Sequence, residues 1–255
     1  MAYKILILGG TTEARELAAR LAGTPGCRIT LSLAGRTVNP AAQPVPVRVG
    51  GFGGAEGLAA HLGAEGIDLL VDATHPFAAR ISANAAEAAR VTNVPLLVLR
   101  RPGWTKRQGD RWTEVDTVLQ AVALLGTPAR RVLVTLGRQE LAPLCSQPQH
   151  FYLIRSVDPV DPPLDLPRAQ FLLARGPFAE DDERRLLRDR RIDAILSKNS
   201  GGAATYGKIA AARELGIEIV MVRRPGKPDA ATVATVDEAV TRIAHFAASA
   251  EKRGV

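Results

Sequence analysis

Cysteine and long apolar runs are both scarce in this 255-residue chain. Its two cysteines, Cys27 and Cys145, lie far apart and lack the spacing of a metal-binding knuckle. Two such thiols give no disulfide framework, so we expect both to be buried for structural reasons and no metal to be bound. The apolar run 5–8 stops at a glycine, far short of the roughly 20 apolar residues of a membrane span. The sequence therefore predicts a cytoplasmic protein without a membrane segment.

Aromatic residues are also scarce, at 4% of the sequence, and no basic run is interleaved with them. Nucleic-acid-binding surfaces combine basic and stacking side chains, so the composition argues against a nucleic acid partner. The chain nevertheless has 33 Lys and Arg against 26 Asp and Glu, a net charge of +7. This excess favours a small polyanion, and a phosphorylated cofactor and a polycarboxylate fit it equally well.

Short apolar runs alternate with alanine-rich amphipathic segments, the pattern of parallel sheets covered by helices. The predicted strands are 4–8, 28–33, 45–49, 67–72, 96–99, 131–135, 151–154, 171–174, 192–196 and 218–222. The predicted helices are 13–22, 55–64, 76–91, 114–125, 180–190, 205–215 and 237–247. The pattern predicts an α/β fold of two Rossmann-like parallel-sheet domains, 1–129 and 130–255, with a ligand cleft between them.

An internal repeat supports the two domains. The segment LLVLRRPGW, 96–104, resembles IVMVRRPGK, 219–227, and each is followed by a Val-Asp pair that opens a helix. Extending the match lays the loop after strand 67–72 over the loop after strand 192–196. Because ligands of open α/β sheets bind beyond the carboxyl ends of strands, the repeat predicts a functional loop at the same place in each domain. The alternative is a chance match of a common charged turn.

The first strand runs into a glycine turn and an amphipathic helix, in ILILGGTTEARELAARLAG. Pyrophosphate sites are built in this way, because glycines let the backbone approach the anion and the free amides of the helix start face it. The loop residues are Gly9, Gly10, Thr11, Thr12 and Glu13, which do not complete the usual G-x-G-x-x-G fingerprint. A plain strand-to-helix connection is the alternative reading.

The end of the second strand indicates which dinucleotide would bind. NAD-specific sites usually place Asp or Glu there, whereas this chain has Ser32 and Arg36. A guanidinium pairs well with a 2′-phosphate, so the pattern favours NADPH, the alternative being a solvated arginine in a turn. The glycine-rich segment VGGFGGAEG follows the third strand and must pass close to a ligand or to itself, which makes Gly53 a candidate for the same wall.

Cations and hydroxyls follow several other strands. The candidates are Thr74, His75 and Arg80 in the first half, and Thr135, Arg138, Arg175, Lys198, Asn199 and Ser200 in the second. With no partnering acid nearby in sequence, the second group favours a carboxylate-binding site over a metal site. Taken singly, each charge is also compatible with a solvated surface. His75 fits an acid–base role or a hydrogen bond within its own loop.

The segment NSGGAATYGKIAA has the spacing of a triphosphate-binding loop, through Gly202, Gly207 and Lys208. The next residue is Ile209, where such a loop needs Ser or Thr to place a hydroxyl on magnesium. Gly207 and Lys208 also fall inside a predicted helix. We therefore interpret the spacing as a coincidence and keep an ATP-using enzyme only as a further alternative.

Three motifs, LGGTTEAR, DATHPFAARIS and SKNSGG, followed by KIAAARELGIEIVMVRRP, give the chain a resemblance to the precorrin-6A reductase family of cobalamin biosynthesis. The likeness spans nearly the whole chain. It implies NADPH-dependent reduction of one double bond of a tetrapyrrole macrocycle, precorrin-6A to precorrin-6B, without metal or flavin. It also implies two α/β domains with the cofactor between them, and candidate partners among neighbouring pathway enzymes.

The resemblance also distributes roles along the chain. It assigns Gly9, Gly10, Thr11, Thr12 and Glu13 to the cofactor loop, and Thr74, His75, Pro76 and Phe77 to the nicotinamide side. It assigns Lys198, Asn199, Ser200 and Gly201 to a wall that holds the polycarboxylate substrate. Lys198 and His75 are the candidate proton donors. The alternative from another class is a nonenzymatic NADP(H)-sensing protein with a second interaction domain.

Overall fold

The computed structural model describes residues 2–35, 42–162, 164–226 and 228–251. The described residues form two units, one within Met1–Pro102 and Pro225–Val255 and the other within Gly103–Arg224. The chain thus leaves the first unit after Pro102 and returns to it at Pro225. Each unit is built on one six-stranded sheet in which all neighbouring strands are parallel.

The first unit holds six of the twelve strands, numbered along the whole chain. They are β1 (Tyr3–Leu8), β2 (Cys27–Leu33), β3 (Val47–Val49), β4 (Leu69–Asp72), β5 (Leu96–Leu99) and β12 (Ala231–Val233). Its helices are α1 (Thr12–Leu21), α2 (Ala55–Glu65), α3 (Ala79–Thr92) and α7 (Val236–Glu251). The strands lie side by side in the order β12-β5-β4-β1-β2-β3.

The core of the first unit lies on both faces of this sheet. Ile5 and Ile7 of β1 point to one face and belong to a cluster with α1 and α7. Leu6 and Leu8 point to the other face and belong to a cluster with α2 and α3. A continuous apolar run is typical of a parallel strand covered on both sides. The same run therefore fixes β1, and the loop that follows it, at the centre of the sheet.

The second unit repeats this construction. Its strands are β6 (Trp112–Val115), β7 (Arg131–Thr135), β8 (Phe151–Ser156), β9 (Ala169–Leu173), β10 (Ala194–Lys198) and β11 (Glu218–Val222). Its helices are α4 (Val118–Ala123), α5 (Glu180–Asp189) and α6 (Gly207–Leu215), and two short 3₁₀ turns, Arg138–Glu140 and Ala142–Ser146, follow β7. The strand order is β6-β11-β10-β7-β8-β9.

The two sheets have one topology. Strand β1 corresponds to β7, β4 to β10 and β5 to β11, and in each sheet the order reverses beside the first of these strands. Each sheet is completed by a strand that follows an RRPG segment: β6 pairs with β11, and β12 pairs with β5. The predicted α/β class with two Rossmann-like parallel sheets is confirmed, and the topology matches the internal repeat.

The division of the chain differs from the predicted boundary at residue 129. The range 1–129 takes in β6 and α4, which belong to the second sheet, and omits β12 and α7, which complete the first. Both exchanged strands are short, and Thr113, Glu114, Ala231 and Thr232 within them are exposed. An edge strand of this kind carries no apolar run, so the hydrophobic pattern did not reveal it.

Two local expectations were wrong. Helix α3 begins at Ala79, so Pro76 lies before the helix, in a turn that the Ala78 N–H closes on His75 O at 2.7 Å. Cys145 is exposed on a 3₁₀ turn and Cys27 is only half-buried, so neither is the fully buried thiol expected. Among the described helices, none combines the length and the apolarity that crossing a bilayer requires.

Candidate functional site

The first sheet reverses its strand order between β1 and β4, which lie side by side. In open α/β sheets a crevice forms at such a point, beyond the carboxyl ends of the two strands. The GGTTE loop follows β1 and the ATHPF loop follows β4. The topology therefore brings two of the predicted loops to one edge of one sheet.

The backbone of the GGTTE loop requires both glycines. A methyl group at Gly9 would lie 2.6 Å from Leu31 Cδ1 of β2, and the Gly9 N–H donates to Ser32 O at 2.9 Å. Gly10 has φ +119°, and a methyl group there would meet no described atom within 4 Å. Gly9 thus holds the loop against β2, while Gly10 leaves an open backbone face on which a ligand can lie.

Thr11 connects this loop to α1 and to the end of β4. Its Oγ1 accepts a hydrogen bond from the Ala14 N–H at 3.0 Å and donates one to Ala73 O at 2.9 Å. The first bond caps the N-terminus of α1, whose first residue, Thr12, is exposed. The amides and partial positive charge of a helix start suit a phosphate group, so the arrangement fits a dinucleotide pyrophosphate.

Glu13 is a carboxylate within this loop, and its charge is balanced by Arg101. The Arg101 Nη1 atom lies 2.6 Å from Glu13 Oε2, and the two side chains are 18% and 25% exposed. An unpaired carboxylate at this place would repel a phosphate. The ion pair removes that conflict. Sequence reasoning missed Arg101, although it belongs to the RRPG segment that marks the repeat.

The other predicted cofactor residues are placed less directly. Ser32 is 5% exposed near the end of β2, so its hydroxyl is covered by protein. Arg36 lies outside the described residues, and its role as the 2′-phosphate reader stays a prediction. Gly53 has φ +82° in the loop between β3 and α2. Phe52 lies in the same loop, and the guanidinium of Arg48 of β3 lies over its ring, 3.8 Å from the centroid.

The loop after β4 is held by a buried carboxylate. Asp72, 3% exposed, accepts hydrogen bonds at Oδ1 from the Thr74 N–H at 3.0 Å and the Thr74 hydroxyl at 2.6 Å. His75 Nδ1 accepts from the Phe77 N–H at 3.3 Å. In a neutral ring this bond places the proton on Nε2. The predicted residue Arg80 is exposed on the first turn of α3.

Arg100 fastens this loop to the returning chain. Its Nη2 donates to Pro76 O at 3.2 Å and to Pro225 O at 2.9 Å. Burial lowers the pKa of Arg100, and the nearby Asp72 carboxylate partly offsets that effect. Its buried Nε has no hydrogen-bond partner among the described residues. Arg100 joins Arg101 as a residue that sequence reasoning missed, in the same RRPG segment.

The second sheet reverses between β7 and β10, which pair directly. Thr135 at the end of β7 donates its hydroxyl hydrogen to Leu196 O at 3.3 Å or to Ser197 Oγ at 3.1 Å. The Thr135 side chain therefore links β7 to β10 within the sheet. Arg138 donates to Pro159 O at 3.0 Å, and its Nη2 lies 3.9 Å from Asp158 Oδ2.

Lys198 ends β10 and forms an ion pair with Glu140, the last residue of the first 3₁₀ turn. The same carboxylate accepts a hydrogen bond from the Gly137 N–H at 3.2 Å. Lys198 therefore lies at the carboxyl edge predicted for it, with an acid supplied from a distant part of the sequence. Glu140 is a third residue that sequence reasoning missed, although its position after a strand end was a usable signal.

The turn after Lys198 is built around Trp104. Asn199, 8% exposed, accepts from the Trp104 N–H at 2.8 Å and donates to Trp104 O at 2.9 Å. The Trp104 indole N–H donates to Gly202 O at 2.8 Å. Gly201 and Gly202 have φ +65° and +78°, which side chains disfavour. The Asn199 amide thus has a structural role, and its contact with a substrate stays a prediction.

The remaining predicted residues of the second unit, Ser200 and Arg175, follow the carboxyl ends of β10 and β9 in the same sheet. Ser200 is half-buried and its N–H donates to Lys198 O at 2.8 Å. Arg175 is exposed in the loop after β9. Their roles as substrate ligands stay predictions.

Lys208 shows why NSGGAATYGKIAA is not a phosphate loop. Gly207 begins α6, and Lys208 is 3% exposed within the unit. Its Nζ donates to Thr205 O at 2.8 Å and lies 4.7 Å from the centroid of the Trp104 ring. Burial, with a further contribution from the positive charge of Arg155, lowers the pKa of Lys208 to about 7. A phosphate-binding lysine has to reach the ligand, so the interpretation of the spacing as a coincidence is supported.

The two switch points differ chemically. In the first sheet, β1 leads into a capped ten-residue helix, whereas residues 136–150, all described, form 3₁₀ turns after β7. The Gly137 amide in that loop is already bonded to Glu140. The fold and these loops define a Rossmann-type protein of duplicated sheets in which the first sheet carries the dinucleotide-type loop.

Comparison with known proteins gives the family. The model of the precorrin-6x reductase CbiJ/CobK family matches residues 4–244. Precorrin-6A reductases from Sinorhizobium sp and Rhodococcus erythropolis are 61% and 48% identical, over 97% and 94% of this chain and 95% and 96% of theirs. The solved structure of CobK precorrin-6A reductase matches with a TM-score of 0.91 and 44% identity, over 96% of this chain and 97% of that one.

The chain belongs to the precorrin-6x reductase CbiJ/CobK family. The family resemblance drawn from three motifs is thereby confirmed, and the protein is an oxidoreductase. A family of reductases disfavours the nonenzymatic sensor that the sequence left open.

Proposed function

We propose that this protein catalyses the NADPH-dependent reduction of precorrin-6A to precorrin-6B in cobalamin biosynthesis. The observation that carries the proposal is the capped GGTTE loop at the switch point of the first sheet, in a member of a reductase family. The reaction adds one hydride and one proton across a double bond of the conjugated macrocycle. Soluble NADPH, when bound, supplies the hydride.

The residues of the first sheet fit such a cofactor. The open backbone face at Gly10, the exposed Thr12 and the neutralised Glu13 suit the pyrophosphate. No carboxylate follows β2 within the described residues Ala34 and Gly35, which favours a 2′-phosphate over a free ribose hydroxyl. Arg36 is the proposed reader of that phosphate. Thr74, His75, Pro76 and Phe77 would border the reacting end of the cofactor.

The residues of the second unit suit a polycarboxylate. Lys198 lies at the switch point of the second sheet, and Arg138 lies in the neighbouring loop. The net charge of +7 gives the whole molecule a field that attracts such a substrate. The proposed substrate contacts in this unit are Thr135, Arg138, Arg175, Lys198, Asn199, Ser200 and Gly201. Arg80, on α3 of the first unit, stays a proposed contact as well.

Two side chains are proposed for proton delivery. Lys198 forms an ion pair with Glu140, and in the proposed reaction its amine donates a proton to the macrocycle or draws electron density toward the position that is protonated. His75, with Nδ1 accepting from the Phe77 N–H, would carry its transferable proton on Nε2. Lys198→Met is expected to slow the chemical step if Lys198 delivers the proton, and His75→Gln is expected to slow it if His75 does.

The direct test follows nicotinamide absorbance after NADPH and precorrin-6A are added to the purified protein. We expect oxidation of NADPH with formation of precorrin-6B, and much weaker activity with NADH. Absence of oxidation with authentic substrate would contradict the proposal. In single turnover, Lys198→Met is expected to slow the chemical step, and a loss confined to binding would transfer the proton role to His75, tested with His75→Gln.

A further inference from the structure

A carboxylate of the chain itself occupies the switch point of the second sheet. Glu140 pairs with Lys198 and also accepts the hydrogen bond of the Gly137 N–H at 3.2 Å. One side chain thereby joins the loop after β7 to the end of β10. At the equivalent place in the first sheet, the loop after β1 leads into the N-terminus of α1, whose free amides suit an anion.

The two partners of this ion pair are held differently. Lys198 ends a central strand, in register with Val222 of β11, and its side chain is 12% exposed. Glu140 ends a three-residue 3₁₀ turn, and its side chain is 33% exposed. The turn is anchored by the buried Leu136 and Leu141 on either side. The Glu140 carboxylate can therefore leave through a change of rotamer alone, while the backbone of Lys198 stays fixed by the sheet.

The surrounding charges favour exchange of one carboxylate for another. Arg138, two residues before Glu140, supplies a guanidinium in addition to the ammonium group of Lys198, and its Nη2 atom lies 3.9 Å from Asp158 Oδ2. Removal of Glu140 without replacement would leave Lys198 largely covered and without this carboxylate. A substrate carboxylate restores both the charge balance and the hydrogen bond to Gly137.

We propose that Glu140 holds the place of one substrate carboxylate, and that substrate binding exchanges it for that group at Lys198 and the Gly137 N–H. This inference rests on the proposed function, since it presumes a polycarboxylate substrate. Glu140 is then a specificity-determining residue. It excludes weakly binding anions from Lys198, and a multivalent ligand displaces it because its other carboxylates bind at the same time.

The test is the affinity of Glu140→Gln for uroporphyrin, a tetrapyrrole octacarboxylate. Glutamine keeps the length of the side chain and an oxygen that accepts from Gly137, but it does not compete for Lys198 as a charge. We expect the dissociation constant to fall roughly fivefold, the scale of a partly exposed ion pair. Both tryptophans, Trp104 and Trp112, belong to the second unit, so quenching of their fluorescence reports the binding.

The matched control is Glu218→Gln. Glu218 pairs with Arg130 at 2.8 Å, the Glu218 side chain is 34% and the Arg130 side chain 22% exposed, and Glu218 begins β11 at the opposite edge of the same sheet. The Glu218→Gln substitution removes one negative charge and one comparable ion pair, and it leaves the surroundings of Lys198 unchanged. We expect its affinity for uroporphyrin to equal that of the wild type. A gain as large as that of Glu140→Gln would reduce the effect to general electrostatics and overturn the proposal.

The gain must also depend on Lys198. In a Lys198→Met background, Glu140→Gln is expected to add no affinity. Unchanged or weaker binding by Glu140→Gln alone, with thermal unfolding like that of the wild type, would show that Glu140 only positions Lys198. Glu140→Ala, expected to bind more tightly as well, guards against a special effect of glutamine. Reduction of precorrin-6A by the wild type tests the proposed function separately, so the two ideas fail independently.

Discussion

At the residue scale, the ion pair between Glu13 and Arg101 decides whether the proposed cofactor loop can accept a phosphate. Its 2.6 Å contact is largely shielded from water. Arg101→Ala leaves the Glu13 carboxylate without this counterion beside the anion site. We expect NADPH to bind about tenfold more weakly, equivalent to about 1.4 kcal/mol, as a fluorescence titration with NADPH would measure.

A second substitution separates this explanation from a general loss of charge. Glu13→Gln in the Arg101→Ala background removes the unpaired carboxylate and is expected to restore most of the affinity. Arg20→Ala breaks an exposed ion pair with Asp237 at 2.9 Å in the same unit, and should leave NADPH binding unchanged. NADPH affinity of wild-type strength in Arg101→Ala would refute the role assigned to the pair.

Lys208 makes the stability of the protein depend on pH. Burial lowers its pKa to about 7 in the folded state, whereas an exposed lysine titrates near 10.4. Between these values the unfolded chain binds a proton that the folded protein has released, so stability rises with pH through this window and is lowest, for this group, below it. Lys208→Met removes that dependence and fits the same space.

We therefore expect Lys208→Met to be more stable than the wild type at pH 7.5, with an advantage that shrinks by about 1.4 kcal/mol for each pH unit up to pH 10. Urea unfolding at several pH values measures the difference. The same substitution at the exposed Lys106 serves as the control and should leave the pH dependence as it is. A constant difference between Lys208→Met and the wild type would mean that Lys208 stays charged in the fold.

At the element scale, Thr11 determines how α1 is joined to the sheet. Its hydroxyl caps the helix by accepting from the Ala14 N–H, and it donates to the carbonyl of Ala73, the residue after β4. Thr11→Val keeps the shape of the side chain and loses both bonds, so we expect the free energy of unfolding to fall by about 1–2 kcal/mol. Thr11→Ser keeps the hydroxyl and should retain most of the stability in urea unfolding. Equal losses in the two variants would argue against the capping role.

The sequence allowed the central elements to be predicted but not all of their partners. Strands β1, β4, β7 and β10 carry continuous apolar runs, and glycines or hydroxyls follow each strand within a few residues. Their loops could therefore be placed at strand ends in advance. By contrast, the partnership of Lys198 with Glu140 joins residues far apart in the chain, and only the packing of β7 against β10 brings them together.

The structural role of Asn199 also depends on a contact between residues far apart in the chain, so the sequence did not predict it. Its motif, SKNSGG, identified the family, but nothing in it predicted that the amide would hold the backbone of Trp104. Trp104 follows the first RRPG segment, so the contact depends on where the chain enters the second unit. Sequence motifs predicted which residues matter at this turn, while the tertiary path determined whether they face the backbone or a ligand.

At the scale of the whole molecule, the path of the chain decides which fragments can fold. One edge strand of each sheet, β6 or β12, follows an RRPG segment in the chain. Val236, Ala239 and Ile243 of α7 also belong to the core of the first unit. A cut at residue 129 therefore divides both sheets, although the pattern of predicted strands and helices placed a domain boundary there.

The unit Gly103–Arg224 is accordingly expected to fold by itself, whereas 130–255 is not. The first contains all six strands of its sheet, and its ends lie close together, since a methyl group at Gly103 would be 3.6 Å from the Arg224 guanidinium carbon. The fragment 130–255 lacks Trp104 and strand β6, whose Trp112 and Val115 are buried. Thermal unfolding followed by circular dichroism should show a cooperative transition for 103–224 alone. In the fragment 130–255, the edge of β11 would lack its partner strand and the space of the Trp104 indole would be empty, so we expect a broad transition. An equally sharp transition of 130–255 would show that β6 contributes little to the second sheet.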